Sequence, residues 1–431
     1  MSRFSKWLQL FGLLLFCFSA DAKPPLHAAL KIEGARFRPL QIAVPDIKVS
    51  APTSAALTQF AGQVTSTVRR DLELSGVFTV LDPRSYISDK KMEDWVNIGA
   101  EGVIKASVET GGTGAAAHAQ MSQVGLMKSG KSTTYKATLA EPVLLGHQIA
   151  NDAYLFFTGD PGIFSTHIVA IKEVSRVKQV VMMDADGQNE RQLTQGEGPY
   201  LLPILTPEGN SVLYTSYLNN NPSLFEMNLG STKTQVISTR PGLNIGPSIS
   251  PDRRKIALTL SKDGNSEIYL IDRQGQNLQR LTNSWGIDTS PSFSPDGKQI
   301  AFVSSRSGNP HIYTMNIDGT NQKRMTFQGK YNQTPRWSPR GDLIVFCGRD
   351  ENNVFDIFTL EVKSGTLARL TQNQGSNEEP SFAPNGRLIV FSSTRSGARD
   401  LFISNLDGSF QKQITSGGKY WTPNWGGLNG R

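Results

Sequence analysis

The feature that most limits the fold is an apolar run that returns at nearly constant spacing. Ile300 opens the run IAFVS, and its counterparts are Ile168, Val212, Ile256, Ile344 and Ile389. The steps between them are 44, 44, 44, 44 and 45 residues. Six copies with a period in the forties and strand-like content are the signature of a propeller built from four-stranded blades. In the copy from Pro291 to Thr326, Pro291–Ser294 reads as a short first strand and Pro295-Asp296-Gly297 as a tight turn. Ile300–Ser304 is the second strand, apolar without strict alternation because both of its faces pack against other blades. HIYTMN is the third strand, Asp318-Gly319 supplies a hairpin turn, and QKRMT is the fourth. A single copy cannot bury its own faces, which is why the motif repeats.

The two ends of the repeat are complementary. First strands of the P-x-x-S type begin at Pro203, Pro247, Pro291, Pro335, Pro380 and Pro423, and the last has no second strand after it. The copy at Ile168 is preceded by GDPGIFST in place of a first strand. Pro423–Trp425 is therefore expected to complete the first blade and clasp the ring without a covalent bond.

A different domain, residues 23–158, precedes the propeller at 159–431, with GDPG at 159–162 as the boundary. It reads as α/β. LQIAVPDI, VFTVLD and GVIKASV look like strands. Leu57, Phe60, Ala61, Val64, Val68 and Leu72 fall at helical spacing before Gly76, and VLLGHQIANDAYLFF reads as a second helix. The stretch 109–136 is rich in Gly, Ala and Ser, and GTGAAA within it reads as a flexible loop. At the start of the chain, Arg3 and Lys6 precede the apolar LQLFGLLLFCFSA and then Ala20-Asp21-Ala22. That is the pattern of a cleaved signal peptide, residues 1–22. No later stretch approaches a membrane span. Cys17 would leave with the signal, so Cys347 would have no intramolecular partner.

Residues that could carry chemistry are sparse. The net charge of +7 comes from scattered Lys and Arg rather than a basic run, so nucleic-acid binding is not expected. GLMKSGKS, Gly125–Ser132, fits the P-loop formula but is followed by a β-branched stretch broken by Pro142 instead of a helix. The Asp-Gly pairs sit where hairpins are required, and the five histidines show no ligand spacing. No catalytic constellation, cofactor or metal site is expected.

P-x-[FW]-S-P-D-G followed by I-A-F-x-S, I-Y-x-M-x-x-D-G and a closing L-T resembles the propeller repeat of the TolB family. FFTGDPGIFST (Phe156–Thr166), GHQIAND and the signal peptide before an α/β domain resemble it too. The resemblance implies a periplasmic, non-enzymatic component of the Tol-Pal system that maintains outer-membrane integrity and supports cell division. It implies two partners, the peptidoglycan-associated lipoprotein Pal and TolA, for a monomer that does not span a membrane. Family Pal contacts map onto Leu243, Asn244, Gly246 and Thr289, with Leu243 where the family commonly has His. The TolA-binding arm maps onto Leu30, Lys31, Ile32 and Gly34. The loops opposite the P-D-G and D-G turns vary from copy to copy, which places recognition at that end of the strands. The alternative is a periplasmic enzyme acting on polysaccharide or peptide in the propeller channel.

Overall fold

The computed structural model describes residues 38–427 apart from 51–53, 87–90, 112–113, 127, 197, 218–220 and 350. The expected signal peptide and Leu30, Lys31, Ile32 and Gly34 lie outside the described residues. The described residues belong to one compact unit.

The first part is an α/β layer. Its strands are β1 (Leu40–Ala43), β2 (Lys48–Val49), β3 (Phe78–Val80), β4 (Gly102–Gly111), β5 (Gly114–Gln123) and β6 (Lys128–Ala137). The sheet order is β3-β1-β4-β5-β6, with β2 also on β4. Helix α1 (Ala55–Leu74) starts at Ser54, whose hydroxyl accepts the Leu57 N–H at 3.1 Å. A short helix α2 (Met92–Asn97) follows, and α3 (Pro142–Thr158) begins on a proline, whose missing N–H is no loss in a first turn. Leu57, Phe60, Val64, Val68 and Leu72 of α1 join Leu145, Ile149 and Ala153 of α3 in a core closed by Ala115, Ala117 and Ala119 of β5.

One sequence expectation fails in this layer. Ala115–Ala117, expected to be flexible, belong to a ten-residue strand, because every second alanine is buried beneath the helices. Gly125–Ser132 does not form a phosphate loop: a 3-10 turn at Val124–Leu126 leads into β6, so a strand stands where the helix N-terminus would have to be.

Six four-stranded antiparallel sheets, blades I to VI, follow in chain order. The innermost strands of II to VI are Tyr200–Leu205, Asn244–Ile249, Asp288–Phe293, Asn332–Trp337 and Asn377–Phe382. Blade I takes its innermost strand from the C-terminal region: Tyr420–Gly426 pairs with His167–Val174, as the two ends of the repeat anticipate. Trp425 locks the clasp, with its indole N–H on Thr166 Oγ1 at 2.8 Å. Each seam between blades has its own apolar core, and the seam between VI and I is continuous with the core of the α/β layer.

Two repeated details go beyond the sequence reading. Every innermost strand is bulged at its proline, and the preceding residue (Leu202, Gly246, Ser290, Thr334, Glu379 or Thr422) has positive φ. Also, the turns between third and fourth strands, Asp-Gly in three blades and Gln274-Gly275 in blade III, press on the neighbouring blade. A Cβ on Gly187, Gly275, Gly319 or Gly408 would stand 1.9–2.5 Å from the carbonyl oxygen of Ile414, Ile237, Leu281 or Leu370. These glycines provide close approach as well as turn geometry.

Candidate functional site

A four-stranded meander puts its first and third connections at one end and leaves the second connection and the inter-blade loop at the other. The α/β layer occupies the turn end. Arg70 meets Asp186 in the Asp-Gly turn of blade I at 2.5 Å, and Asp160 bridges Arg340 and Arg387 of the turns of blades V and VI at 3.2 and 2.7 Å. The Asn385 amide donates to the Pro161 carbonyl at 3.1 Å.

A buried ionic cluster joins this contact to blade I. His147 Nδ1 lies 2.6 Å from Asp71 Oδ2, and Nε2 faces Asp184 at 3.8 Å, too long for a direct hydrogen bond. Burial alone would lower the His147 pKa. The attraction of Asp184, the hydrogen bond to Asp71 and the charges of Asp71 and Asp186 outweigh it and push His147 up to about 9. Burial pushes Asp71 up to about 6 against the pull of His147. His147 was among the histidines that showed no ligand spacing, and its partner is 76 residues away. The available signal was Asp71, a carboxylate on the apolar face of α1.

The loop end carries the expected contact residues. Thr289 is half-buried, with Oγ1 3.2 Å from Thr259 Oγ1, and the same Thr259 oxygen accepts the Ser290 N–H. Gly246 has φ of +60°, and a Cβ there would meet only Ser290 and Thr259 at ordinary distances. The other five bulges carry a side chain at this position, so Gly246 leaves a notch beside Thr289. Leu243 is half-buried on the adjoining loop, its N–H held by Ser261 Oγ at 2.8 Å. The fold thus brings Gly246 and Thr289 together around Thr259, with Leu243 near by.

Asn244 is different. It is fully buried, and its amide bonds to Ser238 and to the carbonyls of Pro222, Arg240 and Gly242. The corresponding Asp288, Asn332 and Asn377 are also buried, with partners in their own loops or blade. Asn244 shapes the loop from within and presents no free amide to a partner.

Sequence reasoning missed the apolar part of this end. Trp285, Ile287 and Phe327 stand on adjacent inter-blade loops with 77%, 55% and 72% of their surface exposed. Arg324 stacks over Phe327 at 5.0 Å. Large apolar side chains held in solvent on neighbouring loops suit a protein contact. Single large residues within NSWGIDTS and FQGKYNQT were the available signal. Among the described residues, no group of three His, Cys, Asp or Glu side chains is placed to hold a metal ion. No helix among them is long and apolar enough to cross a membrane.

Comparison with known proteins agrees with this architecture. The TolB amino-terminal domain family matches residues 28–125, and the TolB beta propeller domain family matches residues 154–429. A protein named Tol-Pal system protein TolB from Anaeromyxobacter dehalogenans (strain 2CP-C) is 37% identical over 230 residues, covering 50% of this chain and 51% of the relative. Its namesake from Myxococcus xanthus (strain DK1622) is 40% identical over 226 residues, with the same shares covered. The chain thus spans about half the length of the curated relatives it matches. The crystal structure of TolB from Acinetobacter baumannii superposes with a TM-score of 0.82 at 26% identity, over 90% of this chain and 97% of that one. With both domain models matched in order and the same two-part architecture, the chain belongs to the TolB family.

Proposed function

We propose that the chain is a non-catalytic binding component of a Tol-Pal system in the periplasm. In this reading its loop end receives Pal, its segment around Leu30, Lys31, Ile32 and Gly34 receives TolA, and together they support outer-membrane integrity and cell division. The observation that carries the Pal assignment is the division of the propeller into two ends. The turn end is occupied by the α/β layer, while the loop end combines the notch at Gly246 and Thr289 with the exposed Trp285, Ile287 and Phe327. Leu243, Gly246 and Thr289 are the proposed contacts, and Asn244 positions the loop that carries them. The adjacent carboxylates at the channel wall favour binding over chemistry. Glu378 is paired with Arg399 at 2.8 Å, and Glu379 accepts the Thr422 N–H.

Titration of purified Pal against Thr289→Arg and Trp285→Ala tests this reading. Each substitution should weaken binding by about 1–3 kcal/mol if its side chain lies centrally in the contact, without changing the thermal midpoint. Unchanged affinity in both variants would refute it. Removal of residues 23–34 should abolish TolA binding and leave Pal binding intact; retained TolA binding would overturn that assignment.

A further inference from the structure

The residue directly after the proline of each innermost strand reaches across a seam. Side-chain oxygens of Ser248, Ser292, Ser381 and Asn424 accept the backbone N–H groups of Phe293, Trp337, Trp425 and Leu205 in the next blade, at 3.1, 2.9, 3.1 and 2.9 Å. Two of the six seams lack this bond, and they lie opposite each other across the ring. Between blades II and III the position is Ile204, which packs into the apolar core of that seam. Between V and VI it is Arg336, which has donors only and cannot accept the Phe382 N–H.

Arg336 therefore does nothing that this position does elsewhere in the ring. It pairs across its sheet with Val345, whose side chain lies in the core shared with blade VI, so the arginine is directed into that seam. It is half-buried, and among the described residues its guanidinium makes no hydrogen bond and no ion pair. The charge acting on it is Glu379 of the next blade. The neighbouring charges are already engaged: Glu378 with Arg399 at 2.8 Å, and Lys178 over the Trp421 ring at 5.0 Å. A planar fork of donors at the channel wall, without a fixed acceptor, suits an oxyanion.

We propose that Arg336 is an anion-binding residue of the propeller channel, taking a carboxylate or another small oxyanion. The anion is carried by the docked partner or is free in solution. The first source rests on the loop-end reading above, because a partner's acidic side chain would enter from that end. The second does not.

Arg336→Ser separates recognition from architecture, since it supplies the acceptor that the seam lacks. The full-length variant should unfold at the same or a higher temperature than the parent and lose the anion response. Two probes are used: sodium phosphate against sodium chloride at matched ionic strength, read as the thermal midpoint, and purified Pal, read as affinity. A partner carboxylate predicts at least a tenfold loss of Pal affinity in Arg336→Ser, partly restored in Arg336→Lys. A free oxyanion predicts a phosphate-dependent rise in the midpoint of the parent that is absent from the variant, with Pal affinity unchanged. A lower midpoint for Arg336→Ser would assign the arginine to the fold and overturn the proposal, as would no change with either probe. If Thr289→Arg and Trp285→Ala also leave Pal binding intact, the loop-end reading fails, and the phosphate measurement alone decides on Arg336.

Discussion

Asp71→Asn should remove most of the pH dependence of stability above pH 6.5. The side chains of His147 and Asp71 are 6% and 1% exposed, with 2.6 Å between Nδ1 and Oδ2. Asparagine keeps the shape and an oxygen to accept the Nδ1–H, so the change removes a charge rather than a contact. In the parent, His147 titrates at about 9 against an ordinary 6.5. The folded state therefore holds this proton more tightly than the unfolded chain does. Its stabilisation is complete below pH 6.5 and is lost as the pH rises through about 9, a difference on the order of 3 kcal/mol. Without the Asp71 charge, burial is opposed by Asp184 and Asp186 alone, and His147 falls back toward its ordinary value. Urea unfolding followed by tryptophan fluorescence at pH 6.5, 7.5 and 9 should show the parent losing stability across the window. The variant should start about 2–3 kcal/mol lower and stay nearly flat, so that the two converge at high pH. Two neighbours titrate outside the window. Asp71 itself, raised to about 6, loses its contribution between its ordinary value and about pH 6. His167, which burial holds below its usual value, acts in the opposite direction below pH 6.5. An Asp71→Asn variant that kept the parent's slope would refute this account of the cluster.

Gly275→Ala should destabilise the propeller by at least about 2 kcal/mol, since the new Cβ would lie 2.0 Å from the Ile237 carbonyl in a backbone with positive φ. The same change at Gly365, where nothing stands within 4 Å, should cost only about 1 kcal/mol of backbone strain; equal midpoints in thermal melts would disprove the contact argument. Trp425→Ala should cost about 3–5 kcal/mol and raise hydrogen exchange selectively along His167–Val174, and uniform exchange across all blades would show that the clasp is not the weak link.

The parts of this fold legible in the sequence are those that repeat. A slip in one copy is corrected by five others, so blade number, strand order and clasp could be read from the spacing of Ile300 and Pro291 and their counterparts. Helix α1 was legible because Leu57 to Leu72 fall at helical intervals, and α3 because VLLGHQIANDAYLFF is a long apolar stretch. The β5–β6 hairpin was not. Its buried face is made of Ala115, Ala117 and Ala119, which have little apolar contrast with Ala116 between them. The positive φ at six X-Pro steps was not legible either, because proline ordinarily pushes its predecessor toward extended backbone. At the loop end, Thr289 and Gly246 could be mapped from family resemblance. That resemblance could not show that Asn244 is enclosed or that Trp285 and Phe327 stand in solvent, since burial follows from how neighbouring loops pack.

The clasp also sets an order in time. Thr166 and Trp425 are 259 residues apart in sequence, and a chain emerging N-terminus first has made every other strand before it supplies Tyr420–Gly426. Until then His167–Val174, eight residues long with an apolar centre, offers an unpaired edge of the kind that recruits other chains. Joining ends so distant is slow, because the entropy of loop closure must be met before the contact returns anything. The α/β layer emerges first, and its core extends over the seam between blades VI and I. It can hold the first blade in place while the ring grows and give the last strand a surface to land on. Shifting the chain termini to another seam by circular permutation would leave the finished ring unchanged but separate that surface from the gap, so the cost should appear as slower closure and more aggregation during refolding.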